Sequence, residues 1–398
     1  MPYRTRPTKH ITALPMNSTR WPRIRLSARP VVLFVQQYWR SLLLSLAAFV
    51  TATVIGAIFV AWIGIYNVGA TSPHSPIVTW FLHFTMRHSV AFHSSEKVLP
   101  ALDDPSRILR GAKKYELTCS PCHGAPDHPP LAVTRGMTPP PPPLLSVGNI
   151  FAPNELFWLV KHGIKMTAMP SWPALQRDDE IWDMVAFLQK LPQLNTERYR
   201  ELVGAHPPFA PKVSQGSVTA CAFCHGADGN GLGGVFPKIA GLNAKYIEVS
   251  LRAFRDGTRP SGYMLPVAEV MTDEDIKTAA VFFSGQSRTS SPSSNYSREL
   301  LQRGAQIARS ELAIHAPACL TCHVKQDVLR APGVPNVVGQ SAWYLADQLR
   351  LFRTGVRSES HNARVMARYA RRLPERDIEA VSAYLSTLEP ESTTGAEQ

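Results

Sequence analysis

All six cysteines of this chain fall in three copies of one five-residue pattern: Cys119-Ser120-Pro121-Cys122-His123, Cys221-Ala222-Phe223-Cys224-His225 and Cys319-Leu320-Thr321-Cys322-His323. Two thiols three positions apart, with an imidazole on the next residue, can each add to a vinyl group of one haem while the histidine ligates its iron. Zinc ribbons and redox dithiols also use Cys-x-x-Cys pairs. A zinc site needs two pairs to converge, and nothing in that chemistry puts histidine directly after each pair three times. A disulfide closing so small a loop adds little stability and leaves the histidines unexplained. The expectation is three covalently bound haems c, anchored by Cys119 and Cys122, Cys221 and Cys224, and Cys319 and Cys322, with His123, His225 and His323 on the irons.

The spacing of the motifs, at 119, 221 and 319, predicts three successive domains of about 100 residues each. Their expected bounds are 105–200, 201–290 and 291–390, followed by a tail at 391–398. Helix-like runs open the first and third, Arg107 to Thr118 around Gly111 and Glu299 to Ser310 around Gly304. In the second, Pro207, Pro208 and Pro211 crowd the region before Gly216, so its first element is expected to be short. Each domain closes on apolar residues at i, i+3, i+4 and i+7, a phase that offers one helix face to a core. These are Ile181, Met184, Val185 and Leu188, then Ile276, Ala279, Ala280 and Phe283, then Ile378, Val381, Ser382 and Leu385. Thr272 and Asp275 stand at capping-box spacing, and Pro374 lies near the first turn of the third closing helix. Proline-rich loops leave little alternation for strands, and the fold class is expected to be all-α.

A methionine stands twelve positions before the first isoleucine of every closing helix: Met169 before Ile181, Met264 before Ile276, and Met366 before Ile378. With ten methionines in 398 residues, chance does not produce this three times. Met166 and Met271 fail the same test. A thioether opposite histidine gives a closed iron of raised potential, suited to electron transfer and not to binding oxygen or peroxide. The competing role for each methionine is filling a core gap. The histidines also need an acceptor for their second nitrogen. Pro237 and Pro335 follow His225 and His323 by twelve residues, and a loop carbonyl there fits. The first repeat carries a run from Pro139 to Pro143 instead, and which of these carbonyls serves is left open.

Charge and hydropathy set the location. Lys and Arg total 42 against 30 Asp and Glu, a net +12. Arg4, Arg6, Lys9, Arg20, Arg23, Arg25, Arg29 and Arg40 supply eight of these with no acid among residues 1–40, leaving only +4 beyond. The propionates of three haems would cancel that, which excludes nucleic-acid binding on charge grounds. Residues 1–41 thus read as a basic cytoplasmic arm. Residues 42–66, Leu42 to Tyr66, contain no charge and exceed the ~20 residues a membrane-spanning helix needs. The positive arm predicts an N-inside orientation with the remainder outside the cytoplasm, in the periplasm of a bacterial inner membrane. A cleaved signal peptide is the competing reading, since Gly69 and Ala70 follow the apolar run. Residues 67–104 read as a juxtamembrane linker with aromatic anchors Trp80, Phe81, Phe84 and Phe92, interleaved with His74, His83, His88 and His93. A haem or metal ligand among those histidines is the other reading.

Opening helix, Cys-x-x-Cys-His, proline loop, methionine and closing helix, in that order, resemble a class I cytochrome c domain. Residues 201–390 resemble the paired domains of the di-haem cytochrome c4 family through Phe236-Pro237-Lys238-Ile239-Ala240-Gly241, Tyr246 to Gly257, Met264, and Thr272-Asp273-Glu274-Asp275-Ile276. Val334-Pro335-Asn336-Val337-Val338-Gly339-Gln340, Tyr344 to Gly355, and Met366 answer them in the third repeat. The first repeat, through Met169-Pro170-Ser171-Trp172 and Asp179-Glu180-Ile181-Trp182, is similar to mono-haem cytochrome c modules of respiratory and dehydrogenase complexes. Two departures concern loop geometry in the third repeat: Val324 follows its histidine, and residues Glu311 to Pro317 are inserted before Cys319.

The resemblance implies three helical domains, each wrapping one haem, with the c4-like pair packed face to face. Axial pairs His123 and Met169, His225 and Met264, and His323 and Met366 are then expected. The implied role is a membrane-anchored relay of single electrons between redox partner proteins, ending at a terminal oxidase. The alternative is the cytochrome subunit of a periplasmic dehydrogenase of alcohol, gluconate or molybdenum hydroxylase type. No small-molecule substrate of its own is expected, and an electron-transfer protein is expected in place of an enzyme. The first haem is expected to face a membrane partner, with the other two extending outward.

Overall fold

The computed structural model describes residues 29–94, 99–145, 150–204, 217–290, 295–309, 318–324 and 333–390. Most of the basic arm, the prolines at 207, 208 and 211, Gly216, the insertion 311–317 and the tail lie outside the described residues.

Residues 1–72 form one unit and 73–398 another. In the first, a helix runs Arg29–Trp62. Its segment Gln37–Trp62, 26 residues of mean hydropathy 2.4 with none of it buried, is long and apolar enough to cross a membrane. The helix thus starts before Leu42 and ends four residues short of Tyr66.

The second unit is helical. Among its described residues only an isolated bridge between Ala125 and His128 has β pairing. Its first helix, Pro76–His93, starts at Ser75, whose hydroxyl accepts the Val78 amide, with proline at N1 where no donor is needed. Val90 is its buried residue, while Ile77, Trp80, Phe81, Phe84 and Phe92 stay exposed.

The first repeat is built on crossed opening and closing helices, Pro105–Thr118 and Asp178–Lys190. Asp104 caps the former by accepting the Ser106 amide. Gly111 is required at the crossing: a Cβ there would stand 2.1 Å from the Asp183 carbonyl and 2.7 Å from the Phe187 Cβ. In the third repeat Arg298–Arg309 crosses Glu375–Thr387 in the same register. There a Cβ on Gly304 would meet the Ala380 carbonyl at 2.1 Å and the Tyr384 Cβ at 2.6 Å. Asp183 and Ala380 each lie two positions after the isoleucine that set the phase in the sequence. The second repeat's closing helix, Asp273–Ser284, has the capping box: Asp275 amide to Thr272 hydroxyl, Thr272 amide to Asp275 carboxylate. It packs on Ala244–Arg255 and on the motif helix Ser217–His225.

The expected apolar faces are buried. Ile181, Met184, Val185 and Leu188 belong to one core, Ile276, Ala279, Ala280 and Phe283 to a second, and Ile378, Val381 and Leu385 to a third. Phe223 of the second repeat lies in the first repeat's core, with Cys224 and Tyr263 packed against it. The second and third repeats are joined by paired bonds between the Lys238 backbone and the Gln340 amide, 2.9 and 2.8 Å, both buried. Trp343 Nε1 and Ser341 Oγ donate to the Gly234 carbonyl, and Arg288 donates to the Asn336 carbonyl at 2.8 Å. The first repeat touches both others, with Arg110 4.1 Å over the Trp343 ring. The contacts therefore do not draw the three repeats out into a line.

Candidate haem centres

Each Cys-x-x-Cys-His segment lies at a helix that ends on its histidine: Ser120–His123, capped by Cys119, Ser217–His225 and Cys319–His323. Such a helix puts both thiols and the ring on neighbouring faces of one element. None of the six cysteines is in a disulfide. Burial pushes the thiols of Cys221 and Cys224 up to about 11 and raises Cys119 and Cys319 as well.

The three histidines have the same kind of partner, a proline carbonyl. Nδ1 of His123 stands 2.7 Å from the Pro142 carbonyl, that of His225 2.8 Å from Pro237, and that of His323 2.8 Å from Pro335. A carbonyl only accepts, so Nδ1 donates, and Nε2 is left with its lone pair for iron. Burial also moves His123 and His225 below the ordinary imidazole value, favouring the neutral ring that a metal needs. The first repeat reaches this bond from position nineteen after its histidine, through the fourth proline of its run.

Loop geometry after the histidines is not uniform. Gly124 and Gly226 take φ of 72° and 80°, a left-handed turn open to glycine. Val324 instead has φ −110° and continues right-handed.

Each of the three methionines sits in a different setting, and all are half-buried. Met169 lies in a loop tied back to Pro153–His162: its amide donates to Thr167 Oγ1, its carbonyl accepts from the Ile164 amide, and the Trp172 amide donates to Lys161. Met264 precedes the short helix Leu265–Glu269 and packs against the core that Cys221 also lines. Met366 is inside the helix His361–Ala370, against the cluster of Phe352, Ala363, Ala367 and Ala370. Met271 is core filler at 4% exposure, and Met166, at φ 60°, is 91% exposed. Neither resembles a half-buried ligand.

Among the described residues, no three His, Cys, Asp or Glu side chains converge as a metal cluster. The linker histidines pack on aromatic rings: His88 is 4.2 Å from Phe84 and His93 stacks 5.9 Å from Trp158. Two features had no signal in the sequence. One is the choice of Pro142 within its run. The other is Glu180, a buried carboxylate bonded to the second repeat.

Residues 106–188 match the family described as cytochrome c oxidase, cbb3-type, subunit III. Cytochrome c4 of Pseudomonas aeruginosa is 32% identical over 188 residues, covering 46% of this chain and 91% of that protein. A thiosulfate dehydrogenase electron acceptor of Stutzerimonas stutzeri is 31% identical over 179 residues, covering 44% of this chain and 82% of that protein. Among solved structures, reduced recombinant cytochrome c4 from Pseudomonas stutzeri matches 45% of this chain and 99% of its own at 30% identity and a TM-score of 0.39. With these relatives and the cysteine and histidine geometry together, the chain belongs to the multihaem class I cytochromes c, proteins of electron transfer.

Proposed function

We infer that this protein is a membrane-tethered tri-haem cytochrome that relays single electrons on the periplasmic side, ending at a terminal oxidase. The carrying observation is the threefold recurrence of two reduced thiols beside a histidine whose Nδ1 is held by a proline carbonyl. Bound haem supplies one-electron exchange at iron. Cys119 and Cys122, Cys221 and Cys224, and Cys319 and Cys322 would hold it, and His123, His225 and His323 would offer Nε2 to it. Met169, Met264 and Met366 would each offer a thioether sulfur to the iron. A closed site excludes small ligands, so the reduced protein as isolated is expected not to bind carbon monoxide; stoichiometric binding would instead indicate an enzyme with an open position.

The apolar segment Gln37–Trp62 supports the tether. So do the exposed Trp80, Phe81 and Phe84 on the next helix, residues of the kind that sit at a membrane interface. Similarity of 106–188 to an oxidase subunit favours the oxidase as acceptor. A second reading, the cytochrome subunit of a periplasmic dehydrogenase, is favoured by the relatives named as thiosulfate dehydrogenase electron acceptors. Rapid mixing separates the two. The reduced protein should be oxidised within its turnover time by a cbb3-type oxidase in air, and slow oxidation there with fast reduction by a dehydrogenase would reverse the assignment.

A further inference from the structure

The first repeat reaches into the second through one carboxylate. Glu180 is in the first turn of the closing helix Asp178–Lys190 and is 3% exposed. The Ser261 hydroxyl donates to its Oε1 at 2.6 Å, and the Gly262 amide donates to its Oε2 at 2.6 Å. Trp172 Nε1 donates to Oε2 at 3.2 Å, and Arg177 Nη1 lies 2.9 Å from Oε1. The same arginine group donates to the Pro260 carbonyl at 3.0 Å. Four donors thus converge on a group that only accepts.

Ser261 passes this fixation on. Its hydroxyl, which donates its hydrogen bond to Glu180, accepts the amide of Met264 at 3.1 Å, and its carbonyl accepts the Leu265 amide at 3.0 Å. Gly262 allows the close approach, since a Cβ there would fall 2.1 Å from Trp172 Nε1. Tyr263 meets Trp172 edge-on at 5.9 Å. The acids at the same register in the other repeats act locally: Asp275 completes its own capping box, and Asp377 pairs with Arg303 of its own opening helix. Glu180 alone of the three bonds to another repeat.

We propose that Glu180 is a positioning residue for the sulfur ligand of the second repeat. By holding Ser261 and Gly262 it fixes the backbone that presents Met264, so that docking of the first repeat sets the coordination of the second haem. This rests on the assignment of Met264 as an iron ligand.

The test uses the intact haem-loaded chain in a spectroelectrochemical titration, reading the methionine–iron charge-transfer band and the three midpoint potentials. Met264→Ala and Met169→Ala first identify the haems of the second and first repeats. If Met264→Ala moves no potential, the ligand assignment itself fails. Glu180→Gln keeps the shape but puts an amide donor against donors. It should lower the potential of the haem identified by Met264→Ala and weaken that haem's share of the band, leaving the other two unmoved. Ser261→Ala, which removes only the relaying hydroxyl, should shift the same haem in the same direction by less, and it carries the test if Glu180→Gln does not fold. A shift confined to the haem identified by Met169→Ala, or no shift in either variant, overturns the proposal.

Discussion

At the scale of residues, the iron ligands are the sharpest expectation. Replacing Met169, Met264 or Met366 singly with alanine should lower one of three potentials each, since loss of the thioether removes the ligand that raises the potential. A titration left unchanged would refute that methionine as a ligand. Lys238 gives a pH test. It is 1% exposed with its ammonium on the Thr289 carbonyl, and burial, with Arg288 nearby, pushes it from 10.5 down to about 8. The unfolded chain therefore holds this proton between about pH 8 and 10.5 while the folded chain does not, and stability from this group rises with pH across that window. Denaturant unfolding of wild type and Lys238→Met at pH 7, 8.5 and 10 should show the difference moving in favour of wild type as pH rises. A constant difference would contradict it.

At the scale of elements, crossings and caps were readable because they follow from short-range rules. The period of 3.6 fixed the buried face of each closing helix, and Thr272 with Asp275 forms the box its spacing predicts. Thr272→Ala should cost about 1 kcal/mol. Gly304→Val sets a side chain against the Ala380 carbonyl and should cost about 3 kcal/mol or more. Thermal unfolding followed in the haem bands checks both, and a neutral Gly304→Val would deny the close crossing. Histidine partners were readable where one proline stood at the right distance, as at Pro237 and Pro335. The run at 139–143 offers five similar carbonyls, and only the folded path of the loop selects Pro142. Glu180 was hidden for another reason. An acid in the first turn of a helix is what the helix dipole favours anyway, so its burial against a distant repeat leaves no pattern in the chain.

At the scale of the whole molecule, the three sequence repeats share surfaces. Phe223, within the second haem motif, is buried in the first repeat's core, and Lys238 and Gln340 tie the second repeat to the third. Domains of about 100 residues have limited cores of their own. Covalent haem would add a large apolar body to each, so the haem-free chain is expected not to fold. Native-like helicity in an apo-protein, measured by far-ultraviolet circular dichroism, would contradict that. The central claim is that all three motifs carry haem, and a pyridine haemochrome assay on the purified full chain tests it most directly. Three haems per chain is the predicted result, and a value of two would mean that one Cys-x-x-Cys-His segment is empty and that the tri-haem relay is wrong.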